Sequence, residues 1–221
     1  MNWNSHSNLK GKHALFSPSS YYWVNYDPAE SPDVIFQRYK SQYASTIGTL
    51  LHEYAEKRIR YGKRMETTAV AKKQAKSDIE IMLLDAGIPM SVIDIDSQFE
   101  NLLSYINDGV GFRMEPEVIL WYSDNFFGTA DTIYFREKEL RIHDYKSGKV
   151  PAHMEQLEIY AALFCLEYAQ KPGDITINLR LYQSEEIIEH SPEANTIGDI
   201  MKRIVDIDKL VNKWKAGDKI A

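Results

Sequence analysis

Apolar residues recur at helical spacing through the first half of the chain. In residues 33–61, isoleucine, leucine and tyrosine side chains fall three and four positions apart, which predicts one long helix. The same period predicts helices over 67–86 and 91–107, with a glycine and a proline breaking the chain between them. The region before any strand (34–110) is therefore predicted to be largely helical.

The period changes after residue 115, where short runs rich in β-branched and aromatic residues predict three antiparallel strands up to residue 149. Turn residues at 124–125 and 137–138 separate these strands. The predicted remainder is a helix over 152–170, strands over 174–183 and 185–190, and a last helix opened by a capping box at Thr196 and Asp199 and ended by Gly217. The predicted fold class is mixed α/β, with a central mixed sheet flanked by helices.

Composition is that of an ordinary globular protein: 221 residues, 44% of them apolar and 26% charged. The length favours a single domain over 14–221 (helices over 34–110, sheet core and C-terminal helices over 111–221), after a flexible polar arm over 1–13. The single cysteine, Cys165, excludes a disulfide framework. No leader-like or membrane-spanning apolar stretch is present, so we predict a cytoplasmic protein without a membrane partner.

Charged residues stand in the predicted strands where ordinary strands carry apolar ones. Asp144 and Lys146 are two residues apart and share a strand face, and Asp131 lies in the preceding strand. Carboxylates bind Mg²⁺ or Mn²⁺, and an ammonium group stabilises charge on a reacting phosphate, so this grouping suits metal-assisted phosphodiester hydrolysis. Taken alone, an Asp-x-Lys pattern is more often a salt-bridged strand pair.

Further motifs surround these charged residues in a definite order. Gly128 precedes Asp131 by three positions, and Gln156 and Tyr160 lie four apart on the following helix, hence on one face. An early helix carries His52, four residues after a glycine that allows close backbone approach.

In this order the motifs resemble the PD-(D/E)XK nuclease superfamily and its restriction-endonuclease-like core. The nearest branch looks like the RecB-like exonucleases, which include CRISPR-associated adaptation nucleases and phage recombination exonucleases. Residues 12–28 resemble the opening of a phage and prophage subgroup, and the whole resemblance spans about residues 12–183. Some members carry iron–sulfur cysteines; here Asp27 precedes Pro28 in place of the cysteine, and one cysteine cannot ligate such a cluster.

The resemblance implies a role for each of the matching residues. One or two Mg²⁺ or Mn²⁺ ions are expected to bind His52, Asp131, Asp144 and the backbone carbonyl of Tyr145, with Glu117 a further candidate ligand and Glu115 its competitor on the same strand face. The catalytic set is expected to be Asp131, Asp144 and Lys146, with Gln156 and Tyr160 positioning the DNA strand.

The function implied by the resemblance is a metal-dependent DNA exonuclease acting on DNA ends in phage recombination, replication or repair. Such a protein would work in the host cell cytoplasm, beside a single-strand annealing or binding protein. Two alternatives stay open: a catalytically silent relative that acts as a DNA- or protein-binding accessory factor, and a structure-selective endonuclease. Some relatives form rings around DNA, and the sequence leaves the oligomeric state open.

Positive charge gathers on the helices before the sheet, in a chain whose net charge is −6. This acidic balance argues against a protein that coats nucleic acid, but a local basic strip can still follow phosphates. A solvated helix face is an equally good interpretation. The candidate DNA-binding residues are Lys57, Arg58, Arg60, Lys72 and Lys73. The aromatic clusters at 21–23 and 126–127 could stack on bases of a single strand, although ordinary core packing is the better interpretation.

Overall fold

The computed structural model describes residues 14–16, 18–27, 29–148 and 152–216. The arm predicted over 1–13 and the helix end predicted at Gly217 lie outside the described residues, as do the side chains of 19–22. The chain divides into two compact units between Thr46 and Ile47. Among the described residues, no helix combines the length and apolar character needed to cross a membrane.

The first unit contains a 3-10 helix (Pro18–Asn25) and helix α1 (Pro32–Ser41). The single helix predicted over 33–61 is wrong, because α1 ends at Ser41 and a second helix begins at Ala44 after a turn. The side chains of Ser41 and Gln42 donate to the carbonyls of Arg38 and Tyr39 at 2.7 and 3.0 Å. These bonds satisfy the last carbonyls of α1 locally and so compete with further helical bonds.

Helices α2 (Ala44–Arg60), α3 (Ala69–Asp85) and α4 (Ile95–Gly111) follow α1 and lead to the sheet. Thr68 caps α3 by accepting from the amide of Ala71, and Asp94 caps α4 by accepting from the amide of Ser97. Helix α4 therefore starts four residues later than predicted, after a 3-10 turn over Met90–Val92.

Five strands form one sheet in chain order: β1 (Glu115–Ser123), β2 (Phe126–Arg136), β3 (Glu139–Lys146), β4 (Thr176–Gln183) and β5 (Glu186–His190). The predicted turns at 124–125 and 137–138 are confirmed, and Glu137 and Lys138 both adopt positive φ, as tight hairpins require. Among the described strands, only β3 and β4 pair in parallel, and helix α5 (Glu155–Glu167) is their crossover connection. The predicted mixed α/β fold is confirmed.

Helices cover the sheet on both sides. Helix α5 and the last helix, α6 (Ala194–Lys215), enclose the main apolar cluster, which includes Leu120, Ile142, Leu157, Leu179 and Ile204. On the other side, Tyr105 of α4 stacks on Tyr145, with ring centroids 5.7 Å apart. Asp108 of α4 accepts hydrogen bonds from Arg180 and Tyr182 of β4 at 2.9 and 2.6 Å, which fixes α4 against the sheet.

The start of α6 differs from the prediction. The helix begins at Ala194 behind Glu193, whose side chain makes no capping bond, so the predicted capping box at Thr196 and Asp199 is wrong. Packing explains the earlier start, because Ile197 is fully buried in the apolar cluster and the first turn must be helical to place it there.

Two helical glycines with different surroundings give a matched test of this packing. A Cβ at Gly109 of α4 would lie 2.8 Å from Cδ1 of buried Ile59, whereas a Cβ at Gly198 of α6 meets nothing within 4 Å. We expect Gly109→Ala to lower the free energy of unfolding by about 1–3 kcal/mol through overpacking. Gly198→Ala should raise it by up to about 1 kcal/mol through helix propensity. Urea denaturation of both variants checks the prediction, and a gain for Gly109→Ala would contradict the close packing of α4 on α2.

Candidate active site

Three of the predicted charged residues meet where β2 and β3 lie side by side. The register pairs Thr132 with His143, so Asp131 lies beside Asp144 at the next position. Oδ1 of Asp144 accepts a hydrogen bond from Nζ of Lys146 at 2.9 Å, and Oδ2 of Asp131 accepts one from the amide of Tyr145 at 3.2 Å. The predicted grouping of Asp131, Asp144 and Lys146 therefore exists in the fold.

Both carboxyl groups are poorly solvated. Asp144 is 1% exposed, and burial, followed by repulsion from Asp131, raises the pKa of Asp144 to about 7. Burial also raises the pKa of Asp131 to about 6, although Lys146 and the Tyr145 amide oppose this. In the described part of the chain, Oδ2 of Asp144 is buried and accepts no hydrogen bond. Leaving a buried carboxylate oxygen without a partner costs free energy, so this oxygen is a candidate to bind a cation or a hydrogen-bond donor.

His52 of α2 reaches the same place. Its Nδ1 lies 3.5 Å from Oδ2 of Asp131. Burial lowers the pKa of His52, although Asp144 and a hydrogen bond with the Tyr145 backbone oppose that change. The imidazole is therefore kept neutral, which is the form that ligates metals. The close approach expected at Gly48 is present as well, because a Cβ there would lie 3.3 Å from Oγ of Ser147.

Glu117 joins the cluster through an unusual backbone conformation. Its φ is +55°, within a β-strand and at a residue that is not glycine. One ligand atom from each of His52, Glu117 and Asp131 lies within 4.8 Å of the other two. Strain of this kind costs about 1–3 kcal/mol and persists where the surroundings impose it, commonly at functional sites. Of the two competing glutamates, Glu117 enters the cluster and Glu115 does not.

Together these residues offer a ligand set suited to a divalent cation. One imidazole nitrogen and two carboxylates converge. Asp144, whose Oδ2 has no hydrogen-bond partner among the described residues, lies beside Asp131 on the neighbouring strand. Oxygen ligands with one imidazole suit Mn²⁺ and, less well, Mg²⁺. A cation here would also neutralise the poorly solvated carboxylates of Asp131 and Asp144, so the residues present fit such an ion.

Gln156 and Tyr160 lie on α5, the helix that follows β3. Nε2 of Gln156 is 3.5 Å from the hydroxyl of Tyr160, and Tyr160 is close enough to Asp131, Asp144 and Lys146 for their charges to affect its pKa, which burial raises. A Cβ at Gly128 would come within 2.9 Å of the Tyr160 ring. Glycine at the head of the Gly128-x-x-Asp131 motif therefore makes room for Tyr160.

The candidate DNA-binding residues do not share one environment. Nζ of Lys72 pairs with Glu100 at 2.8 Å, and Arg60 pairs with Glu56 at 2.8 Å, so their charge is partly neutralised. Within the described residues, no ion pair is formed by Lys57, Arg58 or Lys73. These three are therefore the cations of the predicted set whose charge has no ion-pair partner there.

The structure describes only some side chains of the predicted aromatic clusters. Phe127 is 63% exposed on the β1–β2 hairpin, while Phe126 packs partly against the apolar cluster. Trp23 is 37% exposed, and the side chains of Tyr21 and Tyr22 lie outside the described residues.

The structure contains a cleft beside Lys146 that the sequence did not predict. It measures about 250 Å³ and is lined by Ser97, Gln98, Asn101, Tyr145, Lys146, Ser147, Gly148, Ser184 and Glu185. One signal was available: Asn101 is 5% exposed and stands on the apolar face of α4, where an amide is out of place. The approach of α4 to the β4–β5 turn, which forms the cleft, leaves no local mark in the sequence.

The raised pKa of Asp144 gives a pH-dependent test that needs no ligand. Because folding raises this pKa, ionisation of Asp144 costs more free energy in the folded state than in the unfolded state. The protonated group favours the folded state fully below about pH 4, and this stabilisation is lost as the pH rises through about 7. In EDTA at pH 8, we expect Asp144→Asn to be more stable than the wild type by at least about 1 kcal/mol, since the neutral amide avoids that cost. The gain should shrink at pH 5, as thermal melts at the two pH values would measure.

A matched control is Asp206→Asn, because Asp206 is an exposed aspartate paired with Lys202. This variant should show no gain at pH 8. A loss of stability in Asp144→Asn at pH 8 would mean that the Lys146 pair outweighs the burial of the charge.

Comparisons with known proteins identify the family to which the chain belongs. No curated protein and no solved structure matches the chain. One family model matches residues 13–190, most of the chain, and the matched segment contains every residue of the site described above. The chain belongs to the family described as "Protein of unknown function (DUF2800)".

Proposed function

We propose that the chain is a divalent-metal-dependent deoxyribonuclease of the PD-(D/E)XK type, with its nearest likeness among RecB-like exonucleases. One observation carries the proposal: the buried Asp144 lies beside the half-buried Asp131 and against Lys146, and an acceptor oxygen of Asp144 has no hydrogen-bond partner among the described residues. An ordinary salt-bridged strand pair gains nothing from a second poorly solvated carboxylate or from a strained glutamate beside it.

Each residue has a chemical task in this proposal. His52, Glu117, Asp131 and Asp144 would hold one or two Mg²⁺ or Mn²⁺ ions, with the Tyr145 carbonyl as a further ligand. The chemistry supplied by the cation, when bound, is activation of water and neutralisation of phosphate charge.

Lys146 places a positive charge beside the reacting phosphate, where it stabilises the charge that develops during hydrolysis. Asp144 orients the Lys146 ammonium through the 2.9 Å contact. Tyr160, whose hydroxyl lies 3.5 Å from Nε2 of Gln156, contacts the DNA strand next to the reacting phosphate in this proposal.

The substrate proposed is DNA, cut from its ends during phage recombination, replication or repair, in the cytoplasm of the host cell. A phage single-strand annealing or binding protein is the proposed partner. The poorly solvated carboxyl pair of Asp131 and Asp144 weighs against a silent accessory factor, because keeping two such groups together costs free energy from which a protein that only binds DNA gains nothing. A structure-selective endonuclease uses the same chemistry and is separated from an exonuclease by substrate.

Loss of the Lys146 charge tests the chemistry. We expect Lys146→Met to lower the rate of DNA hydrolysis by about 100-fold or more, the usual effect of removing a group that stabilises the transition state. The assay follows end-labelled linear duplex and single-stranded DNA in Mg²⁺, Mn²⁺ or EDTA. A covalently closed circle in the same reaction distinguishes end-dependent digestion, which spares it, from endonuclease action.

Lys213→Met, which changes an exposed lysine on α6, is the matched control and should keep full activity. A folded wild-type protein that leaves every substrate intact in both metals would refute the proposed function, as would equal rates for the wild type and Lys146→Met.

Glu117 allows metal binding to be measured without catalysis. In EDTA, Glu117→Gly should raise the free energy of unfolding by about 1 kcal/mol, because glycine tolerates positive φ. Glu115→Gly, two positions away and outside the positive-φ set, should lower it instead.

Mn²⁺ should raise the melting temperature of the wild type through preferential binding to the folded state. Glu117→Gly should lose much of that increase, while Glu115→Gly should keep it. Equal Mn²⁺ effects in the two variants would remove Glu117 from the metal site.

A further inference from the structure

A groove with accessible aromatic rings lies where the β1–β2 pair passes the end of α5. It measures about 260 Å³ and borders the main apolar cluster through Ile133 and Phe164. Phe135 and Tyr168 also line it and are 41% and 50% exposed. The ring centroid of each lies 4.9 Å from that of Phe164. We call this site the aromatic groove, and its rings are open to a ligand from solvent.

Two arginines without a salt-bridge partner line the same groove. Arg113 and Arg136 are both exposed, and neither forms an ion pair within the described residues. Cζ of Arg136 lies 5.8 Å from the centroid of the Tyr134 ring, which also belongs to the lining. An anion that enters the groove therefore meets two guanidinium groups and has no carboxylate in an ion pair with them to displace.

The combination of these residues indicates a protein partner. An exposed arginine is ordinary by itself, but here two of them share one groove with accessible aromatic rings. Arginine and aromatic residues are the types enriched at protein interfaces, where they anchor the partner in pockets. A volume of about 260 Å³ suits one or two side chains of a peptide, since drug-sized ligands occupy roughly 300–1,000 Å³.

The charges of the groove favour a peptide over a nucleic acid strand. Guanidinium groups bind either carboxylates or phosphates through paired N–H donors. The exposed Glu115 stands in the same groove, where it accepts hydrogen bonds and repels phosphate. A peptide supplies backbone N–H donors for Glu115 as well as carboxylates for Arg113 and Arg136. A nucleic acid carries a phosphate at every nucleotide and would bring one of them close to Glu115.

We propose that the aromatic groove binds a short acidic segment of a partner protein, with an apolar side chain of that segment on the aromatic rings. This inference does not depend on the proposed nuclease activity. Both strands of the groove continue into the candidate active site, because Glu115 precedes Glu117 by two residues and Ile133 follows Asp131 by two. Two residues of extended strand span about 7 Å, so the bound partner lies beside that site.

Pools of fluorescein-labelled octapeptides test the chemistry of the ligand without fixing its sequence. The first pool is built from Asp, Glu, Phe, Trp and Leu. The second replaces Asp and Glu by Asn and Gln, and the third keeps Asp and Glu but replaces the apolar residues by Ser. In fluorescence anisotropy titrations in EDTA, we expect the wild type to bind the first pool about 10-fold more tightly than either other pool, because only this pool offers both carboxylates and apolar side chains.

Removal of both guanidinium groups tests the site. Combining Arg113→Gln with Arg136→Gln should weaken binding of the first pool by about 10-fold, to the level of the amide pool. The matched control is Arg203→Gln on α6, since Arg203 is also exposed and forms no ion pair in the described structure but lies outside the groove. The control should keep wild-type affinity, and thermal melts establish that both variants are folded.

Two results would overturn the peptide site: equal affinity of the wild type for the acidic and amide pools, or equal affinity of the wild type and the double variant for the first pool. The comparison of pools on the wild type is decisive even if the double variant does not fold. A labelled single-stranded thymidine 12-mer is titrated alongside. If only this DNA binds, and the double variant weakens it, the groove is a nucleic acid site and the peptide proposal fails. None of these assays involves cleavage, so the nuclease proposal stands or falls separately.

Discussion

The site depends on one constraint: the buried carboxyl group of Asp144 lies beside the half-buried carboxyl group of Asp131, with one lysine next to them. Like charges in a poorly solvated place repel, and the single Lys146 ammonium cannot balance both Asp131 and Asp144. Only a well-ordered fold holds such a pair together, and here the register of β2 on β3 does so. His52 of α2 and Tyr160 of α5 lie close to the two carboxyl groups.

Local rules explain what the sequence predicted correctly. Strands β1 to β3 follow from β-branched and aromatic runs between turn residues, and a tight hairpin sets its register with little help from distant residues. Once these strands pair, the spacing of Asp131, Asp144 and Lys146 brings them together. The room that Gly128 leaves for Tyr160 shows why a glycine stands at that point of the motif.

Features set by tertiary packing lay beyond the sequence pattern. The helical period runs unbroken through 33–61, yet side-chain bonds from Ser41 and Gln42 end the first helix. Alternation places Glu115 and Glu117 on one face, but Glu117 has a positive φ and joins the cluster with His52 and Asp131, whereas Glu115 does neither. The cleft needs α4 and the β4–β5 turn, which are far apart in the chain, so no short motif announces it.

The last helix has a practical consequence for anyone who expresses this protein. The family match ends at residue 190, but α6 contributes Ile197 and Ile204 to the main apolar cluster. Asp208 of α6 also accepts hydrogen bonds from Ser123 and Asn125 at the β1–β2 turn. A fragment trimmed to the matched segment would expose one side of α5 to water and release the hairpin that leads to Asp131. Cloning boundaries should therefore follow the buried core, beyond the point where sequence similarity stops.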